Sequence, residues 1–256
     1  MSPKLSPMVM ERASLGMFRA LFQEVLDNKW SKWSQARGGF LDAMWAFDQL
    51  VEKGGATQGE NQNGKGDFFG DLICALLEHC SDKELVSRPG TPGRVFPKHH
   101  LDAAYPPEGR VRVLLETKVA GAPPSSRNKR SQKNPLGRNG SADLDKRIKE
   151  AAFKTIDLKA ESGRQGGAGA GPQGDLIDWL RQTDPKCFML MAVRVVDDTD
   201  LERTVRLAQA AHELSDGCGL IAYRPRVNCY ESAPVPRQMD LDIVLTRICE
   251  QLRHLA

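Results

Sequence analysis

Along this chain apolar positions recur first at helical spacing, then at strand spacing, then in an alternation of the two. Phe18, Leu21, Phe22, Val25 and Leu26, followed by Met44, Phe47, Leu50 and Val51, repeat every three or four residues, which predicts helices within Ser14–Lys53. Gly54–Gly66 is rich in Gly, Asn and Gln and predicts a loop. Asp67–Cys80, DFFGDLICALLEHC, predicts a buried helix with Phe68, Leu72, Ala75 and Leu76 on one side. Three strand-like runs follow, Leu85–Arg88, His99–Tyr105 and Arg110–Ala120, broken by Pro89-Gly90 and Pro106-Pro107. Their short connections imply an antiparallel meander.

Further on, Asp143–Lys159 has an amphipathic helical pattern, with Leu144, Ile148, Ala152 and Thr155 facing inward and a basic outer face. A short helix over Asp175–Arg181 leads to an apolar strand, Cys187–Val196. Thr199–Ser215 predicts a helix opened by a Thr199/Glu202 capping box, Gly219–Tyr223 another strand, and Asp240–Leu255 a closing helix striped by Leu241, Leu245, Ile248, Leu252 and Leu255. Strands joined by helices favour parallel pairing. The expected class is therefore α/β: a mixed central β-sheet flanked by helices, with extra N- and C-terminal helices. Residues 1–66 form an N-terminal helical region and residues 67–256 the core. Within the core lie a basic insertion, 121–142, without a single acidic residue, and a glycine-rich flexible linker, 163–174.

Composition narrows the function classes. The chain has 256 residues, 40% hydrophobic and 27% charged, enough for a substantial core. A net charge of +3 means that any nucleic-acid contact must come from local clusters of Lys and Arg. No stretch is long and apolar enough for a membrane span, and the N-terminus lacks a secretory apolar core, so a soluble cytoplasmic protein is expected. The six cysteines form no CxxC pair and are expected as reduced, buried thiols. Cys74, His79 and Cys80 could be imagined around zinc, but their spacing fits no familiar zinc pattern. The glycine-rich linker lacks a phosphate-loop signature.

The candidate chemistry lies at the end of the third strand-like run. Four acid-x-Lys triplets occur, starting at Asp27, Glu116, Asp157 and Asp184, and only Glu116-Thr117-Lys118 closes a strand that follows a run carrying an aspartate, Asp102. Alternation puts Glu116 and Lys118 on one face of the strand. If the Asp102 run lies beside it, two carboxylates can hold a hard divalent cation and the lysine can orient or activate a water. That is the chemistry of metal-dependent phosphodiester cleavage. The plainer alternative is a surface ion pair at a strand end.

With this order of elements and the Asp102…Glu116-Thr117-Lys118 constellation, the chain resembles the PD-(D/E)xK nuclease superfamily over roughly Asp67–Tyr223, and looks most like a type II restriction endonuclease. The resemblance implies a restriction-endonuclease-like αβββαβ core and Mg²⁺-dependent, sequence-specific hydrolysis of double-stranded DNA that leaves 5′-phosphates. Asp102 would be the first metal ligand, although Leu101 stands where many members have proline. Glu116 would be the second, assisted by the Thr117 backbone carbonyl, with Lys118 on the water. Many members add an acid from the preceding helix; Asp71 is the candidate here, with Asp67 and Glu78 as rivals.

Arg127, Lys129, Arg130, Lys133 and Arg138 in the basic insertion are expected to contact DNA. A palindromic site implies a homodimer, and no small-molecule cofactor is expected. A structure-specific repair or recombination nuclease on the same core, and a catalytically silent DNA-binding protein, are the alternatives. His99 and His100 could suggest a ββα-metal nuclease, but the Asn and His that such a motif needs downstream are missing.

Overall fold

The helix α1 (Trp33–Glu52) buries Trp33, Phe40, Met44, Phe47, Leu50 and Val51 along one stripe, at the spacing read from the sequence. The structure is a computed structural model and describes Gln23 and residues 25–124, 136–167 and 171–255.

The next helix, α2 (Gln58–Ser81), corrects the expectation of a loop over Gly54–Gly66, because it begins inside that segment and runs for 24 residues. A reciprocal cap starts it. The Glu60 amide donates to the Thr57 hydroxyl at 3.2 Å, and the Thr57 amide donates to the Glu60 carboxylate at 2.8 Å. Four glycines on this helix each cost roughly 1 kcal/mol relative to alanine. The cap and the burial of Phe68, Phe69, Leu72, Ile73, Leu76 and Leu77 outweigh that cost. The 66/67 boundary falls within this helix.

Two short strands, β1 (Val86–Ser87) and β2 (Gly90–Thr91), are followed by β3 (His99–His100), β4 (Ala103–Tyr105) and β5 (Val113–Ala120). The helix α3 (Leu144–Gln165) runs beyond its predicted end at Lys159 and into the segment read as a glycine-rich linker. After it come α4 (Leu176–Gln182), β6 (Lys186–Arg194), α5 (Asp198–Glu213), β7 (Gly217–Arg226), β8 (Cys229–Ala233) and α6 (Leu241–His254).

Six strands form one mixed sheet in the order β1-β4-β5-β6-β7-β8, while β2 and β3 make a separate hairpin. Antiparallel pairing of β1 with β4 and β4 with β5 is the expected meander. The pairs β5/β6 and β6/β7 are parallel, as helical crossovers require. The mixed sheet flanked by helices is therefore the α/β class expected from the sequence.

Alternation along β5 divides the core. Val113 and Leu115 join α1, α2 and α6 on one face, and Leu114 and Ala120 pack towards α3 and α5 on the other. Strand β8 was not read from the sequence; a two-residue turn, Val227-Asn228, joins it to β7, with Asn228 at φ 59°. The cap of α5 is also displaced: the Asp200 amide donates to the Asp197 carboxylate at 2.7 Å, in place of the Thr199/Glu202 box. Cys80 on α2 and Cys249 on α6 form a disulfide, with Cα atoms 6.1 Å apart, so the expectation of six thiols fails for this pair. Among the described residues, no helix is long and apolar enough to cross a membrane.

Candidate active site

Glu116 and Lys118 leave β5 on the α3 side of the sheet, and Asp102 stands immediately before β4, the antiparallel neighbour. The Asp102 amide donates to the Leu115 carbonyl at 3.2 Å and so extends the ladder by one rung. This fixes the Asp102 carboxylate beside Thr117, whose amide and hydroxyl donate to Oδ2 at 2.6 and 3.1 Å. Lys118 Nζ then donates to Glu116 Oε2 at 2.8 Å and reaches Asp102 Oδ2 at 3.5 Å. One ammonium bridges both carboxylates. The fold therefore brings together the three residues singled out from the sequence.

A fourth residue belongs to the cluster. Lys154 of α3 places Nζ 2.9 Å from Glu116 Oε1 and 2.8 Å from the His100 carbonyl. Glu116, only 3% exposed, is gripped by two lysines, one per carboxylate oxygen. A buried carboxylate needs such partners to remain ionised. Burial pulls the Lys118 pKa down, but the charges of Glu116 and Asp102 and their hydrogen bonds outweigh that effect and raise it above the usual lysine range. Lys118 is therefore held as an ammonium.

The cluster opens into a cleft of about 420 Å³. One wall is a polar stripe of α2: Gln62, Asn63, Gly66, Asp67, Gly70 and Asp71. Arg88, Asp102, Thr117, Lys118 and Arg147 lie around the rest. A β-carbon at Gly66 would meet no atom within 4 Å, so this small-residue stretch leaves the cleft open. Glu116 does not line the wall; it stands behind Lys118. Arg88 Nη2 lies 3.0 Å from Asp67 Oδ1 and 3.6 Å from Asp71 Oδ1, which places both aspartates at the rim, paired to a cation. Glu78 faces elsewhere and accepts from the Leu85 amide at 2.9 Å.

Of the predicted DNA contacts, Arg127, Lys129, Arg130 and Lys133 lie outside the described residues. Arg138 is exposed and paired with Asp143. The end of the insertion is tied down: the Gly140 and Ser141 amides donate to the buried Asp200 carboxylate at 3.0 and 3.1 Å. For zinc, Cys80 is occupied by its disulfide, and burial, followed by the charges of Glu78 and Asp71, pushes the Cys74 thiol up to about 12.

Among the described residues, no group of three or more His, Cys, Asp and Glu is gathered closely enough to hold a metal. The donor set at the cluster is two carboxylates, and Lys118 already spans them at 2.8 and 3.5 Å, so both face one cation position. Hard oxygen donors suit Mg²⁺ rather than a thiophilic ion. Lys154, Arg88 and Arg147 were not singled out from the sequence. Lys154 looked there like any other lysine on the basic outer face of its helix, and only the packing of α3 across β5 sets it apart. Comparison with family models, with curated proteins and with solved structures finds no match.

Proposed function

We propose that this protein is a Mg²⁺-dependent double-stranded DNA endonuclease of the restriction type, acting as a homodimer. The observation that carries the reading is the meeting of Asp102, Glu116 and Lys118 on adjacent strands at the mouth of a cleft. Asp102 and Glu116 are the proposed metal ligands. In a strand, the amide and carbonyl of one residue point to the same side, so the Thr117 carbonyl, on the Asp102 side, would be a third oxygen donor. A bound divalent cation would supply Lewis-acid polarisation of the scissile phosphate. Lys118 holds the attacking water by donation, and Lys154 orients the Glu116 carboxylate. Arg88 and Arg147 on the cleft wall are suited to phosphate oxygens.

Incubating the purified protein with genome-sized DNA and Mg²⁺, then sequencing the fragment ends, tests this directly. One recurrent site with 5′-phosphate ends is the expected product. Cuts confined to branched substrates would favour the repair or recombination reading. Binding without turnover would favour a silent DNA-binding protein.

A further inference from the structure

A second surface, beside the cleft, carries large apolar groups with no cover. Phe96, in the loop joining β2 to β3, is 50% exposed, and Phe153 on α3 is 45% exposed. Their ring centroids are 5.4 Å apart and meet edge to face, with the His99 ring 5.8 Å from Phe96. Val95, beside them, is exposed as well. Grouped apolar exposure of this kind marks contact surfaces more often than isolated exposed side chains do.

The rings are held outward by a rigid support. Asp157 of α3, buried beneath the loop, accepts from the Val95 amide at 2.7 Å and the Phe96 amide at 3.1 Å. Its Oδ2 lies 2.7 Å from His99 Nε2. The Gly93 amide donates to the Phe96 carbonyl at 2.9 Å and closes the turn. A loop so tied to a helix presents its tip at little ordering cost.

Charge selects the occupant. Residues 85–101 contain no acid, but they do contain Arg88, Arg94, Lys98, His99 and His100. Arg94 and Lys98 are exposed on the same hairpin as Phe96. The nearby carboxylates on α3 are already engaged: Asp157 as above, and Glu161 with Arg164 at 2.5 Å. The hairpin is also continuous with the cleft, because Arg88 lines its wall and the His100 carbonyl accepts from Lys154, the lysine that grips Glu116. Half-exposed aromatic rings flanked by cations are the chemistry that stacks a base while neutralising neighbouring phosphates.

We infer that Phe96 and Phe153 form a stacking platform for an unstacked base of the DNA strand entering the cleft, with Arg94 and Lys98 on its phosphates. This rests on the nuclease reading for the identity of the polymer, but not for the chemistry at Glu116.

The test uses the full chain, labelled mixed-sequence DNA and Ca²⁺ in place of Mg²⁺, with binding followed by fluorescence anisotropy. The Phe96→Leu/Phe153→Leu double variant keeps the apolar bulk and loses the rings; it is expected to bind roughly tenfold more weakly. Phe96→Trp keeps an aromatic ring and should show emission quenched by DNA beyond that of wild type. Arg94→Ala/Lys98→Ala, which leaves the packed residues untouched, should lower the dependence of affinity on salt. Unchanged affinity in the double leucine variant, or no added quenching in F96W, would overturn the platform. So would a change in oligomeric state caused by the leucines, which would make the patch an interface between copies. If wild type cleaves DNA but the leucine variant behaves identically, only the platform fails. If wild type neither binds nor cleaves DNA, the nuclease reading fails with it.

Discussion

Two carboxylates on opposite faces of the sheet each sit between two cations, and they differ in what surrounds them. On the α1/α2 face, Asp48 meets Lys65 Nζ at 2.5 Å and Arg194 Nε at 3.9 Å, and accepts from Asn61 at 2.8 Å and from the Tyr230 hydroxyl. The side chains of Asp48, Lys65 and Arg194 are 2% exposed or less. On the α3 face, Glu116 meets Lys118 and Lys154, and this group grades outwards to an Asp102 side chain that is 35% exposed. The chemistry is the same and the access is not. The Asp48 cluster is sealed and welds α1, α2, β6 and β8 together. Its Arg194 also donates to the Leu136 and Ala122 carbonyls at 2.8 and 3.3 Å, which fastens both ends of the basic insertion. The Glu116 cluster lies beside an open cleft. A charged cluster becomes a candidate site through its route to solvent, not through its residue types.

The sharpest way to break this contrast is to neutralise each carboxylate. Glu116→Gln should reduce DNA cleavage by about 10²–10³-fold, the range for removing a group that stabilises charge in the transition state. Its melting temperature should fall only modestly, because Lys118 and Lys154 can turn to water. Asp48→Ala should do the reverse. Stranding a buried Lys65 costs about 3–5 kcal/mol, visible in denaturant unfolding, while the folded fraction still cuts. Equal losses of stability from both variants would erase the distinction. Lys154→Ala tests whether the second lysine matters to function: cleavage about tenfold slower is expected, with Lys154→Arg restoring part of the rate at the same Mg²⁺ concentration.

Acid offers a gentler probe of the α3 side. Burial pushes the Asp157 carboxyl up, but hydrogen bonds from His99 and from the Phe96 and Val95 amides outweigh this and hold its pKa below the ordinary value. A carboxyl lowered in the folded state stabilises fully above the unfolded value and loses that contribution as pH falls through the folded one. The hairpin should therefore loosen only below about pH 4, detectable as faster amide exchange at Val95 and Phe96, and Asp157→Asn should abolish that pH dependence. The smallest effect is expected at the rim, where Arg88→Ala removes an exposed pair with Asp67 and should change stability by less than about 1 kcal/mol.

Legibility in the sequence followed the physical periodicity. Strand β6 and helix α6 were plain because their apolar residues repeat cleanly. The N-terminal half of α2 was not: of the Gly, Asn and Gln residues that depress its helical signal, Gln62, Asn63 and Gly66 line the cleft, while Asn61 is buried against Asp48. A segment that faces a cleft on one side and buries the polar Asn61 and Lys65 on the other lacks the apolar stripe on which a helix is recognised, and only its Thr57/Glu60 cap announces it. Strand β8 was hidden by Pro225 and by its short, half-exposed pattern. Asp102, Glu116 and Lys118 were legible because they sit close in sequence on paired strands. Lys154 was not, because its role depends on how α3 crosses β5, a contact between residues 38 positions apart. The Asp48–Lys65–Arg194 cluster, spread over three elements, left no local signal at all.

One comparison bears most directly on the central claim: plasmid cleavage in Mg²⁺ by wild type, Lys118→Ala and Lys65→Met, each first shown to be folded. The account predicts cutting by wild type and by the Lys65 variant, and none by the Lys118 variant. Undiminished cutting without Lys118, or an inert wild type, would contradict it.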